Sequence, residues 1–165
     1  MVYLKRLSLE DSCEIYKMLQ EIAPDDNGFH NKANGMSFEE FEGWLKKELS
    51  VDNGNLEGWM VPQSSYWLYD GDRPVGYGRL RHFLNDSLKE TGGHIGYAIR
   101  ISERGKGYGN KILALLLDEC KKINIDTVQI SANTDNIPSN KVIRNNGGVL
   151  IRASMGKNFY NIDLT

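Results

Sequence analysis

Arg104-Gly105-Lys106-Gly107-Tyr108-Gly109-Asn110-Lys111 opens the run Ile112-Leu113-Ala114-Leu115-Leu116-Leu117 and follows Gly93-His94-Ile95-Gly96-Tyr97-Ala98-Ile99-Arg100. The earlier stretch reads as a strand. The later one places Ile112, Leu113, Leu116, Cys120 and Ile123 at helical spacing. The segment therefore predicts a strand, a basic glycine-rich turn and a helix. The first N–H groups of a helix have no partner inside it and lie at the positive end of its dipole, so they form a ready site for an anion such as phosphate. Glycine lets the backbone come close, and Arg104 and Lys106 add charge that can grip phosphate oxygens. A plain glycine-rich strand-to-helix turn is the alternative.

Two common glycine motifs do not fit. The dinucleotide fingerprint needs glycine where Asn110 stands, and a P-loop needs Ser or Thr where Ile112 follows Lys111. What the segment resembles, in its strand–turn–helix setting, is the acetyl-CoA-binding motif of the GNAT N-acyltransferases. There an Arg or Gln is followed by x-x-Gly-x-Gly or Ala, and Arg104, Gly107 and Gly109 occupy those positions.

The remaining chain agrees with one α+β domain over residues 1–165. Its 165 residues allow a real core, and 40% hydrophobic with 25% charged residues is ordinary for a globular protein. A net charge of −2 gives no case for nucleic acid or an anionic membrane. Cys13 and Cys120 sit on apolar helical stripes and read as small buried hydrophobes, with no zinc-like or redox spacing and hence no metal site. No signal-like or membrane-length apolar run is present, so the expectation is a cytoplasmic protein.

In order, residues 2–7 read as a strand, and Leu9 to Ser12 open a helix reaching about Glu21. Pro24 to Gly28 is a breaker cluster, and 29–36 a polar loop. Ser37 and Glu40 form a capping box for a helix with Phe38, Phe41, Trp44, Leu45 and Leu49 on its apolar side. Residues 66–81 form a hairpin through Asp70-Gly71-Asp72-Arg73-Pro74. Asn85 to Thr91 is a polar connection. Val128, Ile130 and Ala132 share one face of a strand, a short helix runs from about Pro138 to Asn145, and two strands end the chain. The order βααβββαβαββ is similar to the GNAT fold, a mixed, mostly antiparallel twisted sheet flanked by helices. Tyr66-Trp67-Leu68, Gly92-Gly93-His94-Ile95-Gly96-Tyr97 and Asn145-Asn146-Gly147-Gly148 resemble, more narrowly, a subgroup of bacterial acetyltransferases without an assigned substrate.

The resemblance implies an N-acetyltransferase that moves an acetyl group from acetyl-CoA, as co-substrate, to a primary amine of a small molecule or peptide in a ternary complex. It implies that CoA is held by Ile99, Arg100 and Ile101 on a strand that splays from the one bearing Ile130. It further implies contacts from Arg104, Gly105, Lys106, Gly107, Tyr108 and Gly109 in the turn, and from Asn136 and Ser139 near the last helix. A main-chain N–H near Ile99 would hold the oxyanion. His94 and Tyr97 are the candidate catalytic residues, as the base that takes the amine's proton directly or through water, with Arg81-His82 nearby; the alternative for each is structural, His94 hydrogen-bonded and Tyr97 in the core. Alternation puts His94, Gly96 and Ala98 on one face and Ile95, Tyr97 and Ile99 on the other. Many family members carry a Tyr seven residues after the Asn136 position as leaving-group acid, and Ile143 stands there. That departure supports a second reading, a CoA-sensing module without catalysis. Loops 24–36, 50–63 and 82–91 are expected to shape the acceptor site. Their acids Asp25, Asp26, Asp86 and Glu90 would either favour a cationic amine or form solvated surface. A homodimer is compatible with the sequence.

Overall fold

A computed structural model describes residues 1–165. Strand β1 (Val2–Arg6) leads to helix α1 (Cys13–Gln20), the two-residue strands β2 (Asp25–Asp26) and β3 (Phe29–His30), and helix α2 (Phe38–Asp52). Then come β4 (Gln63–Asp70), β5 (Arg73–Arg81), the short helix α3 (Asp86–Thr91), β6 (Ile95–Ile99), α4 (Tyr108–Lys122), β7 (Thr127–Asn133), α5 (Ile137–Asn145), β8 (Val149–Ser154) and β9 (Lys157–Asp163). Strands β1, β4, β5 and β6 form one antiparallel sheet in that order, and β7, β9 and β8 form a second.

The first sheet is covered on both faces. Trp67, Tyr77 and Ala98 point toward α1 and α2, where Met18, Leu19, Phe41, Trp44 and Leu45 complete an aromatic-rich core. Leu68, Val75, Leu80 and Ile95 point the other way, onto Ile112, Leu113, Leu116 and Cys120 of α4. Val128, Ile130, Tyr160 and Ile162 of the second sheet join that same cluster, so α4 spans both sheets. The Ser37–Glu40 capping box is fully formed, each side chain accepting from the other's backbone.

The two sheets meet at a seam. The His94 N–H donates to Gln129 O at 2.7 Å, and the Gln129 N–H donates to His94 Nδ1 at 3.0 Å. Gly93 makes this approach possible, because a Cβ there would lie 2.2 Å from Gln129 O. Beyond the seam β6 and β7 part, and a cleft opens between them.

Three local expectations are corrected. Residues 24–36 contain the β2–β3 hairpin, turned by Asn27 and Gly28 at positive φ. Residues 85–91 contain α3, capped by Asn85 Oδ1 accepting from the Leu88 N–H. Cys13 is exposed, at the first turn of α1, whereas Cys120 is buried and its thiol is pushed up to about 12 by that burial. At the far rim of the second sheet, β8 carries exposed Val149, Leu150 and Ile151, with a bulge at Ile151 between the pairs Leu150–Tyr160 and Arg152–Phe159.

Candidate active site

Between β6 and β7 lies a cleft of about 860 Å3, lined by both strands, the 104–110 turn, the start of α5 and the β2–β3 hairpin. At its upper end the N–H groups of Gly105 through Asn110 find no acceptor within the chain, and the first α4 bond is Lys111 N–H to Gly107 O at 3.3 Å. Gly107, at φ 84°, is the N-cap and turns the chain in a conformation that other residues rarely adopt. The amide cradle expected from the sequence is therefore present.

Its charges are not free. Arg104 donates through Nε to Ile99 O at 3.0 Å and through Nη2 to Asp26 at 2.7 Å. Lys106 Nζ is bonded to Glu103 at 2.7 Å, and Glu103 also accepts from Arg73 Nε at 2.7 Å. Lys106 lies outside the cleft lining, as do Arg100 and Ile101. The Arg100 guanidinium is buried against Glu21 and the Pro74 carbonyl, which corrects its expected role toward CoA. Ile101 is 61% exposed in a 3-10 turn at Ile101–Glu103. Ile99, Arg104, Gly105, Gly107, Tyr108, Gly109, Asn136 and Ser139 do line the cleft. Tyr108 anchors the start of α4 by donating to Asp70 at 2.6 Å.

Strand parity shows which backbone groups face the opening. Arg100 N–H bonds Val75 O and Arg81 N–H bonds His94 O, so the even-numbered β6 residues pair with β5. The N–H and C=O groups of Tyr97 and Ile99 then point at the open edge, where the Ile99 carbonyl is taken by Arg104 and its N–H is left available. Thr134 N–H to Gly156 O fixes β7 likewise and turns Ser131 toward the cleft.

His94 and Tyr97 both line the cleft but do different things. The Nδ1 lone pair of His94 is occupied by the Gln129 N–H, so the neutral ring carries its proton on Nε2 and presents a donor. Burial, with the Arg81 charge adding to it, lowers the His94 pKa. The ring thus stays neutral and clips the two sheets together. A His with a lowered folded pKa binds its proton less readily than in the unfolded chain. Its stabilising contribution is complete above the ordinary value near 6.5 and is lost as pH falls from there through the lowered value. Urea melts at pH 7 and pH 5 are expected to show a smaller loss for His94→Gln than for the wild type. Equal losses would mean that His94 does not carry this dependence. His82 belongs elsewhere, bonded to Ser64 at 2.7 Å beside Asp52.

Tyr97 has a buried hydroxyl without a formed hydrogen bond, and burial raises its pKa while the Ser139 hydroxyl offsets part of the rise. Ile143 is buried in the core at the cleft floor, packed so closely that a Cβ at Gly148 would meet its Cγ2 at 2.5 Å. Asn136 caps α5 through Oδ1, which accepts from the Ser139 N–H at 3.4 Å. Asn140, overlooked in the sequence, holds this corner: Nδ2 donates to Asn133 O and Asn136 O, while Oδ1 accepts from Tyr160 and Asn158. The far wall is formed by Phe29, His30, Trp59, Gln63, Arg79 and Arg81. Of the loop acids, Asp26 is held by Arg104 and Asp25 accepts from the Gly28 N–H at 2.7 Å.

No curated protein sequence matches the chain. Several solved structures share its fold. RimL, a ribosomal L7/L12 alpha-N-protein acetyltransferase in complex with coenzyme A, aligns with a TM-score of 0.73 at 16% identity, over 98% of this chain and 93% of that one. Campylobacter jejuni PseH, an N-acetyltransferase in complex with acetyl coenzyme A, aligns with 0.67 at 10%, over 100% of both chains. The GNAT domain of S. lividans PAT aligns with 0.69 at 10%, over 99% of this chain and 90% of that one. The acetyltransferase (GNAT) domain family model matches residues 2–149, which hold the whole first sheet, the cradle, β7 and α5 and end where β8 begins. With that match, the chain belongs to the GNAT family and is an acyl-CoA-dependent acetyltransferase.

Proposed function

We propose that the protein transfers an acetyl group from acetyl-CoA directly to a primary amine of a small molecule or peptide held in the same cleft. The observation that carries this is the row of unpaired N–H groups from Gly105 to Asn110, opening onto the free edge of β6. The diphosphate of CoA sits against those amides, and the pantetheine amides pair with the exposed backbone of Tyr97 and Ser131 as an added strand would. Asn136 and Ser139 border that path.

The pantetheine arm runs from the cradle past Ile99, so the thioester carbonyl lies beside the main-chain N–H groups on the open edge of β6, and one such donor contributes about 3 kcal/mol to an oxyanion. The amine nitrogen attacks the carbonyl carbon, a C–N bond forms, and the C–S bond breaks with its electron pair on sulfur. Tyr97 is the proton source for that thiolate, because its hydroxyl lines the cleft without a hydrogen-bond partner of its own; the phenolate it leaves regains a proton from water. The nitrogen gives its extra proton to water. Tyr97→Phe is expected to lower kcat by about 10²-fold with little change in acetyl-CoA affinity. An unchanged kcat would leave protonation to solvent.

Titration with acetyl-CoA followed by thiol release in the presence of an amine library tests the whole reading. Amine-dependent release of CoA supports transfer. Tight binding with no release from any amine supports the sensor instead, the reading that Ile143 at the leaving-group position favours.

A further inference from the structure

The wall of the cleft opposite the amide cradle is positively charged and lacks counter-ions. Arg79 and Arg81 alternate along β5 and so share a face, the one bearing Tyr77. Both line the cleft, Arg79 opposite Gly96 of β6 and Arg81 opposite His94. Arg79 stacks over the Phe29 ring at 4.0 Å and donates through Nη2 to the His30 carbonyl; its buried Nε has no acceptor. Arg81 donates through Nη1 to the Gly93 carbonyl at 2.9 Å. Neither guanidinium forms an ion pair, and Lys157, bonded to Thr91 O at 2.9 Å, adds a third cation to the lining.

The carboxylates of the lining are Asp26 and Glu103, and both are held at the cradle end by Arg104, Arg73 and Lys106. Glu48 of α2 feels the Arg79 charge without pairing to it, and burial pushes its pKa up. A half-buried guanidinium without a counter-ion is unfavourable, and its planar fork matches a carboxylate or phosphate. Burial and the neighbouring Arg79 pull the Arg81 pKa down, as expected for an uncompensated pair.

We infer that the acceptor is an amine that also carries an anionic oxygen group, carboxylate or phosphate, bound by Arg79 and Arg81. This rests on the transfer reading above and names its substrate class. It reverses the cationic preference suggested by the loop acids, because Asp25 and Asp26 are engaged within the chain.

The test uses the protein saturated with CoA and two matched pairs of probes: β-alanine against β-alaninamide, and O-phosphoethanolamine against ethanolamine. In calorimetric titrations the anionic member of at least one pair is expected to bind at least 10-fold more tightly. The pair that shows the difference identifies carboxylate or phosphate. Arg81→Gln is expected to reduce that ratio to near one, and Arg81→Lys to restore part of it. Equal binding within both pairs of the wild type, no binding of either anionic probe, or a ratio unchanged in Arg81→Gln would overturn the inference. Binding is read separately from turnover. Loss of the anion preference therefore condemns this inference alone, whereas absence of amine-dependent thiol release condemns the transfer reading.

Discussion

Gly109→Asp is expected to weaken acetyl-CoA binding by about 10²-fold or more, a loss of ~2.7 kcal/mol, while leaving the fold intact. Gly109 stands in the first turn of α4, and its missing Cβ faces Val142 Cγ2 at 3.3 Å and Tyr97 at 3.9 Å, on the cleft side. A carboxylate there would accept from the amides that the diphosphate needs and would repel it across a few ångströms. The same carboxylate suits the positive end of the helix dipole, worth about 0.3–1 kcal/mol, which offsets part of the crowding against Val142, so the thermal midpoint without ligand should fall only modestly. Calorimetric titration beside thermal melting separates the two effects. Undiminished affinity in a folded variant would remove the diphosphate from this turn. The paired Lys106 leads to a contrast: Lys106→Ala should cost far less than Gly109→Asp, since its charge is already matched by Glu103.

Gly93→Ala is expected to cost about 3–5 kcal/mol in urea unfolding, among the largest effects available to a single methyl group. Its Cβ would lie 2.2 Å from Gln129 O, 2.8 Å from Gln129 C and 3.0 Å from Ile130 Cα, all backbone atoms that cannot swing aside. Relief requires the strands to separate at the seam that the His94–Gln129 bonds close. Gly43→Ala in α2 is the matched control: nothing lies within 4 Å of its missing Cβ, and the helix should gain up to about 1 kcal/mol. The same substitution thus carries opposite signs at the two glycines. A Gly93→Ala protein as stable as the wild type would mean that the sheets are not held so closely.

What could be read in the sequence was local. The 104–111 turn, the Ser37–Glu40 box and the alternation of Val128, Ile130 and Ala132 each declare themselves within a few residues, and each forms as expected. What could not be read depended on distant partners. Lys106 and Arg104 look like free cations until Glu103 and Asp26 meet them, and Asp26 comes from 78 positions away. His94 matches a base in pKa and setting, but its lone pair meets an N–H 35 positions on. Arg100 sits beside the motif in sequence, yet parity and Glu21 draw it inward. Strands of two residues such as β2 and β3 carry no periodicity to detect, and so the hairpin that walls the cleft stayed hidden.

The bulge at Ile151 bears on how these molecules behave in company. Val149, Leu150 and Ile151 give the outermost strand an oily rim, the sort of border along which another chain could lie down and extend the sheet. An unpaired residue in the middle kinks that border and spoils the spacing of its main-chain donors and acceptors. The bulge therefore works against such an extension beside the Arg152 charge, and an edit that straightened it would be expected to give a stickier protein.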